Sequence, residues 1–125
     1  MAEVTDVACT VPKGLWEEWL AEGDWPGDPH GDMESHFWVP TLPKIETGER
    51  VYIVAHGKLR GYAPLVRTED QCALSGRRRR ACLVRNGGAW AVTIPQEIWG
   101  FQGWRYRWWD REIEIPFPAW NDVRS

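Results

Sequence analysis

The chain has no uninterrupted apolar stretch approaching the roughly 20 residues that a membrane helix needs, which excludes a spanning helix and any membrane partner read from one. Cysteine is scarce. Cys9, Cys72 and Cys82 are too few to form a disulfide framework and cannot all pair within one chain, and the start lacks the basic stretch and apolar run of a secretion signal, so a cytoplasmic location is expected. No two cysteines lie two to four residues apart, and His30, His36 and His56 include no closely spaced pair. The ligand spacing of zinc modules is therefore missing, and no metal site is expected. Neither the Gly-rich dinucleotide pattern nor the phosphate-loop lysine pattern occurs, which disfavours nucleotide-driven enzymes, and no cofactor is expected. A glycine-flanked serine elbow and a recognised cysteine signature are also missing, which disfavours covalent catalysis by either nucleophile. With no internal repeat, no linker and no low-complexity segment beyond one arginine run, the 125 residues are read as one domain, 1–125.

Tryptophan is abundant, with ten residues. A small interior cannot enclose so many indoles while also giving each ring nitrogen a partner, so some of them are expected to be partly exposed. Charge is divided along the chain. Residues 1–50 carry eleven acids and three bases, residues 51–111 carry eleven bases and four acids, and the net charge of −3 conceals the reversal. Arg77, Arg78, Arg79 and Arg80 run consecutively beside Ser75 and Gly76, the composition of an exposed turn. In Trp104-Arg105-Tyr106-Arg107-Trp108-Trp109, strand periodicity places Trp104, Tyr106 and Trp108 on a core face, and Arg105, Arg107 and Trp109 on a functional one. Arginine beside an exposed indole suits phosphate contact combined with base stacking.

The pattern of the chain predicts a mainly β (α+β) fold. Leu15, Trp16, Trp19 and Leu20 at helical spacing, between Pro12 and Gly23, predict a short amphipathic helix over 13–22. Phe37, Trp38 and Val39 form a brief strand closed by Pro40. The clearest signal is Val51-Tyr52-Ile53-Val54-Ala55, followed by a hairpin through His56, Gly57 and Lys58 into residues 59–66, where Gly61 marks a bulge or a close approach. Strands at 80–86 and 89–94 are read as a second hairpin about Asn86-Gly87-Gly88, with one helical turn near 96–99 and strands at 104–109 and 112–115. Six or seven short strands favour a closed or nearly closed barrel over a sandwich.

Gly48-Glu49-Arg50-Val51-Tyr52-Ile53-Val54, followed by Lys58-Leu59-Arg60-Gly61-Tyr62-Ala63, resembles the PUA-like superfamily, especially its ASCH and EVE branches, over about residues 36–115. The resemblance implies a small pseudo-barrel of about six strands that binds nucleic acid or a modified nucleobase in an aromatic pocket. It points to Trp38 as a pocket wall. His56, at the hairpin mouth where ligands enter a barrel, joins it as a candidate contact, with Lys58, Arg60, Arg78, Arg105, Arg107 and Trp109. One ASCH group hydrolyses an acylated cytidine with a lysine, a threonine and a glutamate. Lys44 and Thr47 echo its lysine and threonine spacing, but they sit immediately before the glycine-led strand, whereas the family places its pair well upstream, so the catalytic assignment is not carried over. The leading reading is a non-catalytic binder. The alternatives are a small hydrolase of modified nucleosides using Lys44, Thr47 or Glu49, and a protein-interaction domain; oligomeric state stays open.

Overall fold

A computed structural model describes residues 5–11, 13–22, 34–72, 80–86 and 89–117, without the side chains of 13–15, 22, 34, 35, 71, 72 and 80. The elements are β1 (Val7–Thr10), α1 (Lys13–Glu22), β2 (Glu34–Val39), β3 (Arg50–Ala55), β4 (Lys58–Cys72), β5 (Arg80–Asn86), β6 (Val92–Thr93), β7 (Trp104–Tyr106), a 3-10 turn (Arg111–Ile113) and β8 (Ile115–Pro116). Six strands form one curled half-barrel sheet in the order β2-β5-β4-β3-β1-β7, and β6 pairs with β8 separately. Among the described strands, only β1 and β3 pair in parallel. A parallel pair needs a long crossover, and here α1 and β2 lie within it.

The curl originates in β4, whose first half pairs with β3 and whose second half pairs with β5. The register passes from Ile53 opposite Gly61 to Val54 opposite Leu59, which leaves Arg60 as the inserted residue of a bulge and bends the strand. At the β3–β4 turn His56 has φ 52° and Gly57 has φ 74°, the two positive angles that match a two-residue hairpin to the strand twist. The sheet margins approach at one end. The side chain of Trp104 donates from Nε1 to the Thr41 carbonyl at 2.7 Å, and a Cβ on Gly103 would lie 3.2 Å from Pro40.

Alternation along β3 splits the core. Val51 shares one face with Val7, Cys9, Val39, Leu65 and Leu83, while Tyr52 and Val54 share the other with Ala8, Leu59, Tyr62, Ile94, Ile98 and Trp109. Helix α1 closes the first face where Trp16 and Trp19, both almost fully buried, pack on Ile53, Ala55 and Ala63. No helix among the described residues is long and apolar enough to cross a membrane.

Several elements differ from the sequence reading. Strand β1 is an addition to it: four residues long, it carries too little alternation to be read as more than a flank of the helix. Of the hairpin expected about Asn86-Gly87-Gly88, Gly87 and Gly88 lie outside the described residues, and among the described residues 80–86 does not pair with 89–94, because β5 is already paired on both edges, by β2 and β4. The chain beyond it instead bridges Trp90 to Tyr62 and pairs β6 with β8. Residues 96–99 hold no helical turn, since Glu97 bridges to Lys58 and the Ile98 N–H donates to the Gly57 carbonyl at 2.8 Å. The strand expected over 104–109 ends at Tyr106.

Candidate functional site

Two sites compete for the arginines of the basic segment, one internal and one on the surface. The internal site centres on Asp6, whose side chain is fully enclosed just ahead of β1. Its carboxylate accepts from the Arg50 N–H at 2.8 Å, from Arg107 Nε at 3.0 Å, and from the Arg111 guanidinium at 2.7–2.9 Å. Glu114 forms the second node. It accepts from Arg50 at 2.8 Å, from Trp109 Nε1 at 2.9 Å and from the Tyr52 hydroxyl. Arg50 also lies over the Tyr62 ring, 4.1 Å from its centre. Burial, followed by the hydrogen bond to Glu114, pushes the Tyr52 hydroxyl well above its ordinary pKa, so the network holds that phenol neutral.

This network corrects the face assignment for residues 104–109. Within β7 the alternation holds: Trp104 packs on the core that contains Val7 and Cys9, Tyr106 accepts from the Lys44 N–H at 2.9 Å, and Arg105 lies on the opposite face. Past Tyr106, Arg107 turns to Asp6 and Trp109 is buried against Tyr52, while Trp108 stays half exposed. Charge pairing with two buried carboxylates overrides the period-two pattern as soon as the strand pairing ends.

The remaining candidate contacts are dispersed. Arg60 is fully buried in the β4 bulge; its Nε donates to the Ala55 carbonyl at 3.0 Å, and its guanidinium lies between the Trp16 and Phe117 rings. Such an arginine cements the helix to the sheet and has no surface to offer a phosphate. Arg85 is likewise buried, stacked 3.4 Å from the Trp19 ring centre. His56 is exposed at the β3–β4 turn with its ring in a T-shaped contact with Trp16, and Lys58 is half-buried at the β4–Glu97 bridge. Trp38 is half exposed on β2, opposite Cys82. Trp38, His56 and Trp109 thus have separate surroundings. Arg78 lies outside the described residues.

The three catalytic candidates are not drawn into one group. Glu49 accepts from Thr5 and from the Glu46 N–H, and Thr47 donates to the Val66 carbonyl at 2.8 Å. These contacts close the turn ahead of β3. Lys44 is exposed, and its backbone N–H is what it contributes to the fold.

The surface site is built from the strap between β6 and β7. Thr10 Oγ1 accepts from the Phe101 N–H at 3.1 Å and fixes that ring beside the sheet. Arg105 lies over Phe101, 4.8 Å from the ring centre, and Trp108 meets Phe101 edge-on at 6.2 Å. Trp99, two residues earlier, is 82% exposed, the most exposed large apolar side chain among the described residues. Arg105 pairs with no carboxylate among the described residues. Periodicity misses Phe101 and Trp99 because they lie in irregular chain; only the excess of tryptophan points to exposed indoles. Comparison with protein-family models, with curated proteins and with solved structures finds no match.

Proposed function

We propose that the chain is a PUA-like domain that binds single-stranded nucleic acid or a modified nucleobase on the Trp99, Phe101, Arg105 and Trp108 surface. The observation that carries the reading is the exposed guanidinium of Arg105 stacked over Phe101 beside a half-exposed indole. Exposed aromatic surface is kept in a folded chain at a cost in solvation, and a cation held against it supplies a phosphate contact at stacking distance from a base. The curled half-barrel and the glycine-led β3–β4 hairpin are consistent with the PUA-like resemblance. The buried thiol of Cys9, outside any disulfide, suits a reducing, cytoplasmic setting.

The test is fluorescence anisotropy with short labelled single-stranded oligonucleotides, competed by free and modified nucleosides. Trp99→Ala and Trp108→Ala each weaken binding by roughly 5- to 150-fold, the range of a stacking contact worth about 1–3 kcal/mol. Arg105→Ala weakens it and flattens its salt dependence. No binding by the intact chain, or binding indifferent to all three substitutions, overturns the reading.

A further inference from the structure

Independently of that surface, we propose that His36, Glu69 and Cys82 form a binding site for a borderline-soft divalent cation, zinc in the first place. The donors come from three neighbouring strands, β2, β4 and β5, on one face of the sheet. Antiparallel register sets Glu69 opposite Cys82 and His36 opposite Val84, one step along the same face. His36 Nε2 lies 3.8 Å from Glu69 Oε2, Cys82 Sγ lies 3.9 Å from Glu69 Oε1, and all three donor atoms fall within 4.8 Å of one another. Zinc bonds of about 2.0–2.3 Å in a tetrahedron put neighbouring donors about 3.5 Å apart, so the observed spacing closes on a metal by side-chain rotation alone.

The donor set matches the ion. Imidazole, thiolate and carboxylate together suit zinc, and the mixture of sulfur with nitrogen discriminates against magnesium and calcium, which take oxygen. A thiolate and a carboxylate with a neutral imidazole balance a double positive charge; on binding, Cys82 passes its thiol proton to solvent. Cys82 is buried while His36 and Glu69 remain partly open, which gives the metal a sulfur anchor and leaves the fourth position to water. Arg67 opposes binding, because its Nε donates to Glu69 Oε2 at 2.9 Å. The Arg67 side chain is 44% exposed, so water can replace Glu69 as its partner when the metal binds. Sequence spacing hides the site because the sheet, not a local loop, brings the three residues together.

The probe is Co2+ alone, added to the reduced full-length chain and then displaced with Zn2+. One equivalent of Co2+ produces the visible bands of a four-coordinate ion together with thiolate-to-cobalt charge-transfer absorption, and Zn2+ abolishes both. Cys82→Ser removes the charge-transfer band, and His36→Gln and Glu69→Gln each weaken affinity by about 10-fold or more. Arg67→Ala tightens binding about fivefold, the effect of removing one positive charge roughly 4 Å away in a hydrated setting. This gain cannot arise from misfolding. The proposal is overturned if the intact chain gives no charge-transfer band, if the band survives Cys82→Ser, or if Arg67→Ala leaves affinity unchanged or weaker.

Discussion

Replacing Asp6 by asparagine tests whether the acidic start of the chain holds its basic end. The substitution keeps the shape of the side chain and removes its charge, leaving the Arg107 and Arg111 guanidinium groups to face a neutral amide that also presents donors of its own. Breaking a buried ion pair from one side costs about 3–5 kcal/mol. Arg107 is 17% exposed and keeps the Trp109 carbonyl, and Arg111, 38% exposed, can turn to water, so the lower end applies, about 3 kcal/mol. For a chain of this length that is roughly a 10 °C fall in Tm, readable by circular dichroism or calorimetry. Arg111→Met completes a double-mutant cycle, with a coupling of about 1–3 kcal/mol to Asp6→Asn. A loss below about 0.5 kcal/mol for Asp6→Asn, or strictly additive single and double variants, would refute the account of Asp6 as the anchor of the 104–114 segment.

Two further stability predictions rest on single residues. His56 occupies a left-handed position, so His56→Gly leaves stability within about 0.5 kcal/mol, whereas His56→Val costs more than about 1 kcal/mol in chemical denaturation. At alkaline pH three acids lower stability together. Burial pushes the Cys9 thiol from 9.0 up to about 12, and burial also raises the Tyr52 and Tyr62 phenols. Folding favours the neutral form of each, so their contribution is intact below the unfolded pKa values and is lost as pH rises above them. Between about pH 9 and 10 the unfolded chain releases the Cys9 proton first, and stability falls by up to about 1.4 kcal/mol per pH unit; above about pH 10 Tyr52 and Tyr62 join and the slope steepens further. Cys9→Ala removes the first phase, and an unchanged pH profile in that variant contradicts the assignment.

Periodic, strongly apolar segments are legible in the sequence. The β3 strand, its hairpin through His56-Gly57, the bulge beside Gly61 and the helix carrying Trp16 and Trp19 all follow from local pattern, because the periodicity and turn residues that specify each lie within the segment itself. What pattern does not supply is competition between distant partners. Asn86-Gly87-Gly88 is a strong turn signal, yet β5 is saturated by β2 and β4, and no local rule reports that both edges are taken. The same limit applies to the sites. Arg107 and Trp109 belong to the binding surface that periodicity predicts, but Asp6 claims Arg107 from 101 residues away and Glu114 claims Trp109 over the 3-10 turn, and the surface shifts to Arg105, Phe101 and Trp108.

The division of charge along the chain therefore has a structural meaning before it has a functional one. Asp6, from the acidic first part of the chain, neutralises Arg107 and Arg111 of the basic segment, so part of the positive block is consumed inside the fold, and Glu114 takes Arg50. Arg60 and Arg85 are withdrawn against tryptophans. On the Trp99, Phe101 and Trp108 surface Arg105 is the cation placed to act on a phosphate backbone, which makes binding there a matter of stacking with one cationic contact. For single strands, each neutralised phosphate contributes about −0.7 to the slope of log affinity against log salt. Arg105 acting as the single cation gives a slope of about −0.7, and Arg105→Ala brings it close to zero. Had the four consecutive arginines at 77–80 engaged as well, five contacts would give about −3.5, and a slope of that size would refute the confinement of binding to the Arg105 surface.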